Sequence, residues 1–165
     1  MKQMSKSGDK LARLLFLNRI VKKEIKHLNY SANKVFNKAF TVERAKCLES
    51  DELLAEQVEA FTSRFCRLQD TVGDKLLPAW LDVLGEKTHI AIDNLDKAEK
   101  IGVIASVDVW LELRELRNQM IHEYIEDLVV LSDALQTAYQ QLDVIIGAAQ
   151  AISQDIEIRQ LALNR

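Results

Sequence analysis

The sequence predicts an all-α protein built as an antiparallel helical bundle, and three observations carry that reading. One proline and five glycines are all that interrupt 165 residues, so little breaks a helical ladder. Apolar residues recur at steps of three and four almost throughout, the period of one helix face. No stretch alternates apolar and polar residues as a half-buried strand does, and no repeat or low-complexity linker divides the chain. Residues 1–165 are therefore expected to form one helical domain, long enough to bury its own core.

Taken in order, the first helix should run from about Asp9, a plausible N-cap, to His27 or beyond. Leu14, Leu17, Val21 and Leu28 fall on one of its faces, while Arg19, Lys22, Lys23 and Lys26 form a basic stripe on another. Further helix is expected over Tyr30 to Cys47, where Phe36 and Phe40 stand four apart. Ser50 or Asp51 can cap the next segment, in which Leu54, Val58, Phe61, Phe65, Leu68 and Val72 mark a strongly amphipathic helix. Pro78 and Trp80 lie within Gly73 to Gly85, which predicts a kinked or interrupted helix. Asp93 opens a short helix that stops at Gly102. Ser106 caps the next, which begins Val107-Asp-Val-Trp. Leu128, Leu131, Leu135, Ala138, Leu142, Ile145, Ala149, Ile152 and Ile156 then predict one long final helix packed along most of its length.

Net charge is −3, but it is unevenly spread: residues 1–50 hold 12 Lys or Arg against 4 Asp or Glu, and the rest hold 10 against 21. A basic N-terminal extension of this kind either faces a polyanion or pairs with the acidic remainder. No apolar run approaches a membrane span, and the polar start, Met1 to Lys10, has no apolar signal core. A cytoplasmic protein is expected, with Cys47 and Cys66 as reduced thiols.

Several chemistries lack their residues. There is no GxGxxG, no GxxxxGK[ST], no GxSxG and no HExxH. The histidines His27, His89 and His122 are too scattered to share a metal, and neither a metal nor a cofactor is expected. His27 beside a lysine-rich face and His89 in a predicted loop read as solvated side chains.

One segment carries chemistry: Leu113-Arg-Glu-Leu-Arg117-Asn118-Gln-Met-Ile-His122-Glu-Tyr124. Trp110, Leu113, Met120 and Tyr124 take core-facing positions, and Arg117 shares their stripe. A guanidinium on a packing face is costly unless something anionic meets it. Asn118 and His122 stand four apart and can touch. Arg117 and His122, five apart, point about 140° from each other on an ideal helix. Two such helices about a two-fold axis would bring both pairs to one cleft, which predicts a homodimer. Histidine moves protons near neutral pH, and arginine stabilises a phosphorane-like charge. Together they suit RNA cleavage with the ribose 2′-hydroxyl as internal nucleophile. Asn118 would orient the imidazole or a phosphate oxygen. A bland alternative is a buried polar set that fixes helix register at an interface.

The stretch from Leu95 to Tyr124 resembles the HepT-like branch of the HEPN superfamily, marked by Arg, four residues, His, one residue, Tyr. Arg117, His122 and Tyr124 match that motif, and Asn118 matches the polar residue after its arginine. The likeness spans roughly residues 65–130 and does not reach the basic extension over residues 1–50. It implies a HEPN-like helical dimer acting as a metal-independent endoribonuclease toxin on tRNA or mRNA. It also implies a minimal nucleotidyltransferase antitoxin as partner, which would neutralise the toxin by transferring AMP to Tyr124. The alternative from a different class is a non-catalytic helical subunit that binds substrate for a nucleotidyltransferase.

Overall fold

The computed structural model describes residues 2–87, 90–122 and 126–163, and among these every regular element is a helix. Eight α-helices follow one another: α1 (Lys2–Val35), α2 (Val42–Lys46), α3 (Glu52–Asp70), α4 (Leu77–Val83), α5 (Ala91–Ile101), α6 (Val107–His122), α7 (Leu128–Gln140) and α8 (Leu142–Leu163). His89 lies outside the described residues.

Helix α1 is longer than its sequence pattern suggests, beginning well before Asp9, which sits inside it and caps nothing. It also ends sooner than the apolar spacing of Phe36 and Phe40 predicts. Arg44 closes off its C-terminus, its guanidinium donating to the Val35 carbonyl of the last turn and, at 2.9 Å, to the Lys38 carbonyl beyond the helix. Residues 36–41 therefore form a connection rather than helix, held by rings. Phe36 stacks on Tyr139 at 4.3 Å between centroids and meets Phe61 edge-on at 5.0 Å. The Phe40 carbonyl accepts from Ser132 Oγ at 3.0 Å. Tyr139 and Ser132 stand about a hundred positions further along the chain, so the local period could not announce them.

Asp51 caps α3 by accepting from the Leu54 amide, and all six apolar positions of its stripe are buried. The helix then passes without a break into a π turn, residues 71–76, and on into α4. The Leu77 amide donates to the Val72 carbonyl, five residues back. Two residues explain the wide turn. Pro78 lacks an amide hydrogen and its ring crowds the carbonyl four residues earlier, a clash that widening relieves. Gly73 lets the Trp110 indole approach so closely that a Cβ there would stand 3.2 Å from its ring.

Partner positions give the direction of packing. Arg64 donates to Ser31 Oγ at 2.6 Å, Thr71 Oγ1 to Glu24 at 3.1 Å, and Lys10 to Asp82 at 2.8 Å. Numbers rise on one side as they fall on the other, so α1 runs antiparallel to the rod formed by α3, the π turn and α4. Arg114 with Asp74 and Arg117 with Asp70 set α6 antiparallel to the same rod. One continuous core results, with Trp110, Phe40, Phe61 and Phe65 its largest buried side chains. Burying each contributes about 1.5–3 kcal/mol.

The expected single final helix is two. Gln141 leaves helical geometry at φ −99° and ψ 6° and separates α7 from α8. The apolar stripe continues across the junction, with Leu142, Ile145, Ala149, Ile152 and Ile156 all buried. What differs is the partner: α7 lies against α6 and α2, whereas α8 lies against α1 and the π turn. At its far end Asp155 accepts from Trp80 Nε1 at 2.8 Å and Arg159 Nε at 2.7 Å. Burial would raise that carboxyl, but the two hydrogen bonds and the Arg159 charge outweigh it and hold it below the usual range. Among the described residues no helix is long and apolar enough to cross a membrane.

Candidate functional site

Helix α6 starts where its sequence places it. Ser106 Oγ accepts from the Val109 amide at 3.4 Å, and Glu99 Oε2 from α5 accepts from the Val107 amide at 2.7 Å. Both serve orphan amides of the first turn. The preceding helix ends at Gly102, whose φ of +89° belongs to the left-handed region that glycine enters without cost. Trp110, Leu113, Leu116 and Met120 bury one face of α6 against the core.

Arg117 lies on that face, half-buried, and an anion does meet it: its Nη1 donates to Asp70 Oδ1 at 2.5 Å. One turn earlier, Arg114 Nη2 donates to Asp74 Oδ1 at 2.9 Å. The two arginines three apart and two aspartates four apart form a short ladder that ties α6 to the rod. Cys66, one turn before Asp70 on α3, is buried, and burial pushes its thiol up. The neighbouring Arg117 charge works against that rise while Asp70 adds to it. Cys47 is exposed, and both thiols are free.

Asn118 stands on the exposed side of α6. It is not brought to Arg117 within one chain, since consecutive helical residues diverge by about 100°. His122 is the last residue of α6. Its imidazole, and Tyr124 altogether, lie outside the described residues.

Beside this segment opens a cleft of about 630 Å³, a size that suits a small ligand or part of a chain. Met120 and Ile121 of α6 form one wall. Cys66, Arg67 and Asp70 of α3 form another, with Lys75 of the π turn beyond them. A smaller groove shares Arg67 with this cleft and reaches α1 at Glu24 and His27, with Arg64 between. Burial raises the Glu24 carboxyl, partly offset by the Thr71 hydrogen bond and the Arg67 and Lys75 charges. His27 is exposed on α1.

Nothing in the sequence marks Asp70, Asp74, Cys66 or Arg67 as neighbours of the motif. They lie on another helix 40 or more residues away, and nothing in a single sequence pairs the faces of two distant helices. The available signal was the expectation that Arg117 needs an anion; its identity required the fold. Among the described residues no group of three His, Cys, Asp or Glu side chains is placed to hold a metal ion. Compared with protein-family models, curated proteins and solved structures, the chain matches none.

Proposed function

We propose that the protein is a metal-independent endoribonuclease of the HEPN type, close to the HepT-like toxins, working as a homodimer in the cytoplasm. The observation that carries the reading is the seat of the motif: Arg117 is half-buried on α6 and paired with Asp70, which lines an open cleft, and His122 ends the same helix. In this mechanism His122 takes the ribose 2′-proton or protonates the leaving 5′-oxygen. Arg117, from the same or the opposing protomer, steadies the extra charge on the attacked phosphate. Asn118 orients the imidazole or a phosphate oxygen. The outward side of α6 supports a two-fold contact there, because Leu111 and Ile121 stand in solvent on either side of Asn118. A minimal nucleotidyltransferase antitoxin would silence the site by adding AMP to Tyr124, a bulky anionic adduct that repels RNA.

A second reading draws on one specific observation. Asp70 satisfies Arg117 within the chain, as a purely structural arginine would require. On that reading the protein is a non-catalytic helical subunit that binds substrate for a nucleotidyltransferase.

The deciding experiment incubates purified protein, free of antitoxin, with total RNA and with tRNA in excess EDTA. The nuclease reading expects cleavage that leaves 2′,3′-cyclic phosphate ends. His122→Ala should lower the rate by about 10²–10⁴, and Arg117→Ala should cost about 3–4 kcal/mol of transition-state stabilisation. Both variants should stay folded. Co-expression with the nucleotidyltransferase should add AMP that Tyr124→Phe abolishes. Intact RNA with unmodified wild type, or equal cutting by the alanine variants, would replace this reading with the second.

A further inference from the structure

We propose that the outer face of α1, from Phe16 to Lys34, is a binding track for single-stranded RNA. Phe16, Arg19, Lys23, Lys26, Tyr30 and Lys34 follow one another at steps of three and four. On a helix they fall within a sector of about 80° and extend about 27 Å along the axis. All six side chains are exposed, and the two rings to an unusual degree: Phe16 is 52% and Tyr30 61% accessible. Each ring carries a cation of the same stripe, Arg19 at 6.0 Å from the Phe16 centroid and Lys34 at 5.5 Å from that of Tyr30.

The acidic remainder of the chain does not quench this face. Lys10 and Lys22 of α1 pair with Asp82 and Glu157. The four cations of the stripe make no ion pair among the described residues. No carboxylate of α1 interrupts it, since Glu24 points the other way, into the groove with Thr71.

A second copy of the chain does not suit the face, because a two-fold contact would set four cations against four like charges. A polyanion with flat, stackable groups suits it well. Phosphates meet the lysines and arginine, and bases stack on Phe16 and Tyr30, the combination that binds single strands without sequence readout. The track also leads somewhere. At His27 it borders the groove lined by Arg64 and Arg67, and Arg67 belongs equally to the cleft beside α6. A strand held on α1 can thus pass over a basic saddle towards the motif. The inference shares with the nuclease reading only the expectation that RNA is the partner.

The test is fluorescence anisotropy of the full chain with labelled 2′-O-methyl oligouridylate, which cannot be cut through its 2′-oxygen. Phe16→Ala/Tyr30→Ala should weaken binding about tenfold or more and leave competition by inorganic polyphosphate unchanged. Lys23→Ala/Lys26→Ala should weaken both, and should lower the slope of log affinity against log salt by about 1.4. All four positions are exposed, so circular dichroism should register no loss of helix. Equal oligouridylate binding by wild type and both variants would overturn the track. So would loss of phosphatidylserine-vesicle binding, rather than RNA binding, in the same variants, which would make the face a lipid surface. Cleavage assays with Arg117→Ala and His122→Ala fail or succeed independently of this result.

Discussion

Arg117 occupies a position where hydrophobic packing and charge compete, and Asp70 resolves the competition locally. The pair is partly open to solvent, its side chains 30% and 38% accessible, so it contributes at most about 1 kcal/mol. Its larger effect is on aim. One nitrogen of the guanidinium is committed to Asp70, which narrows the directions in which the rest can point. The same carboxylate also repels an incoming phosphate. Asp70→Asn keeps the shape while removing the charge, so on the nuclease reading KM for RNA should fall while kcat also falls. Steady-state kinetics read that split, and an unchanged kcat would show that Asp70 does not position Arg117. The expectation that Arg117 needs an anion came from the sequence alone, because burial of a charge has a known cost. Which anion it meets depends on how α3 and α6 face each other, and that is tertiary information.

At the scale of the elements, the amphipathic stripes were legible because they obey a local rule. The α3 stripe from Leu54 to Val72 is buried throughout, and the Asp51, Ser106 and Gly102 boundaries fall where cap chemistry puts them. Other boundaries escaped: Asp9 and Asp93 sit inside α1 and α5 instead of capping them, and no apolar period sets two more. Arg44 and the ring cluster around Phe36 stop helix over residues 36–41, and Gln141 parts α7 from α8 with neither proline nor glycine nearby. The π turn lies between these cases: Pro78 and Gly73 predict an interruption, but its form depends on Trp110 arriving from α6. Gly73→Ala tests that contact. Alanine is the better helix former by about 1 kcal/mol, yet its methyl group would stand 3.2 Å from the ring of the fully buried Trp110. Overpacking costs about 1–3 kcal/mol, so a net loss is expected, with the melting temperature lowered by about 2–4 °C per kcal/mol. A melting temperature raised by the substitution would mean that Trp110 has room to move.

At the scale of the whole molecule, charge and oligomeric state meet. The basic excess of residues 1–50 is gathered on α1, and the acidic excess lies on the helices that follow. This separation was plain in the sequence, whereas the partition of α1 between paired and unpaired lysines was not, because Asp82 and Glu157 are remote partners. If the outward side of α6 is the two-fold contact, its core is apolar, through Leu111 and Ile121. Association should then be insensitive to salt, unlike RNA binding. Light scattering at micromolar concentration should report a dimer, and Leu111→Lys/Ile121→Lys should yield folded monomers. A wild-type monomer would count against a composite site.

The π turn has one more consequence, for how the chain can change in length. A π turn is the trace of one residue more than an α-helix of the same span needs. Loss of a single residue among 71–76 would let α3 and α4 join as plain α-helix with everything downstream still facing as it does, because the wide turn already absorbs the extra residue. Trp80 would keep its reach to Asp155 and Asp70 its reach to Arg117, whereas the close seat of Gly73 against Trp110 and the place of Asp74 opposite Arg114 would have to be remade. The segment can therefore shed one residue without turning the rod beyond it, whereas the same loss from the plain helix of α3 would turn that rod by about 100°.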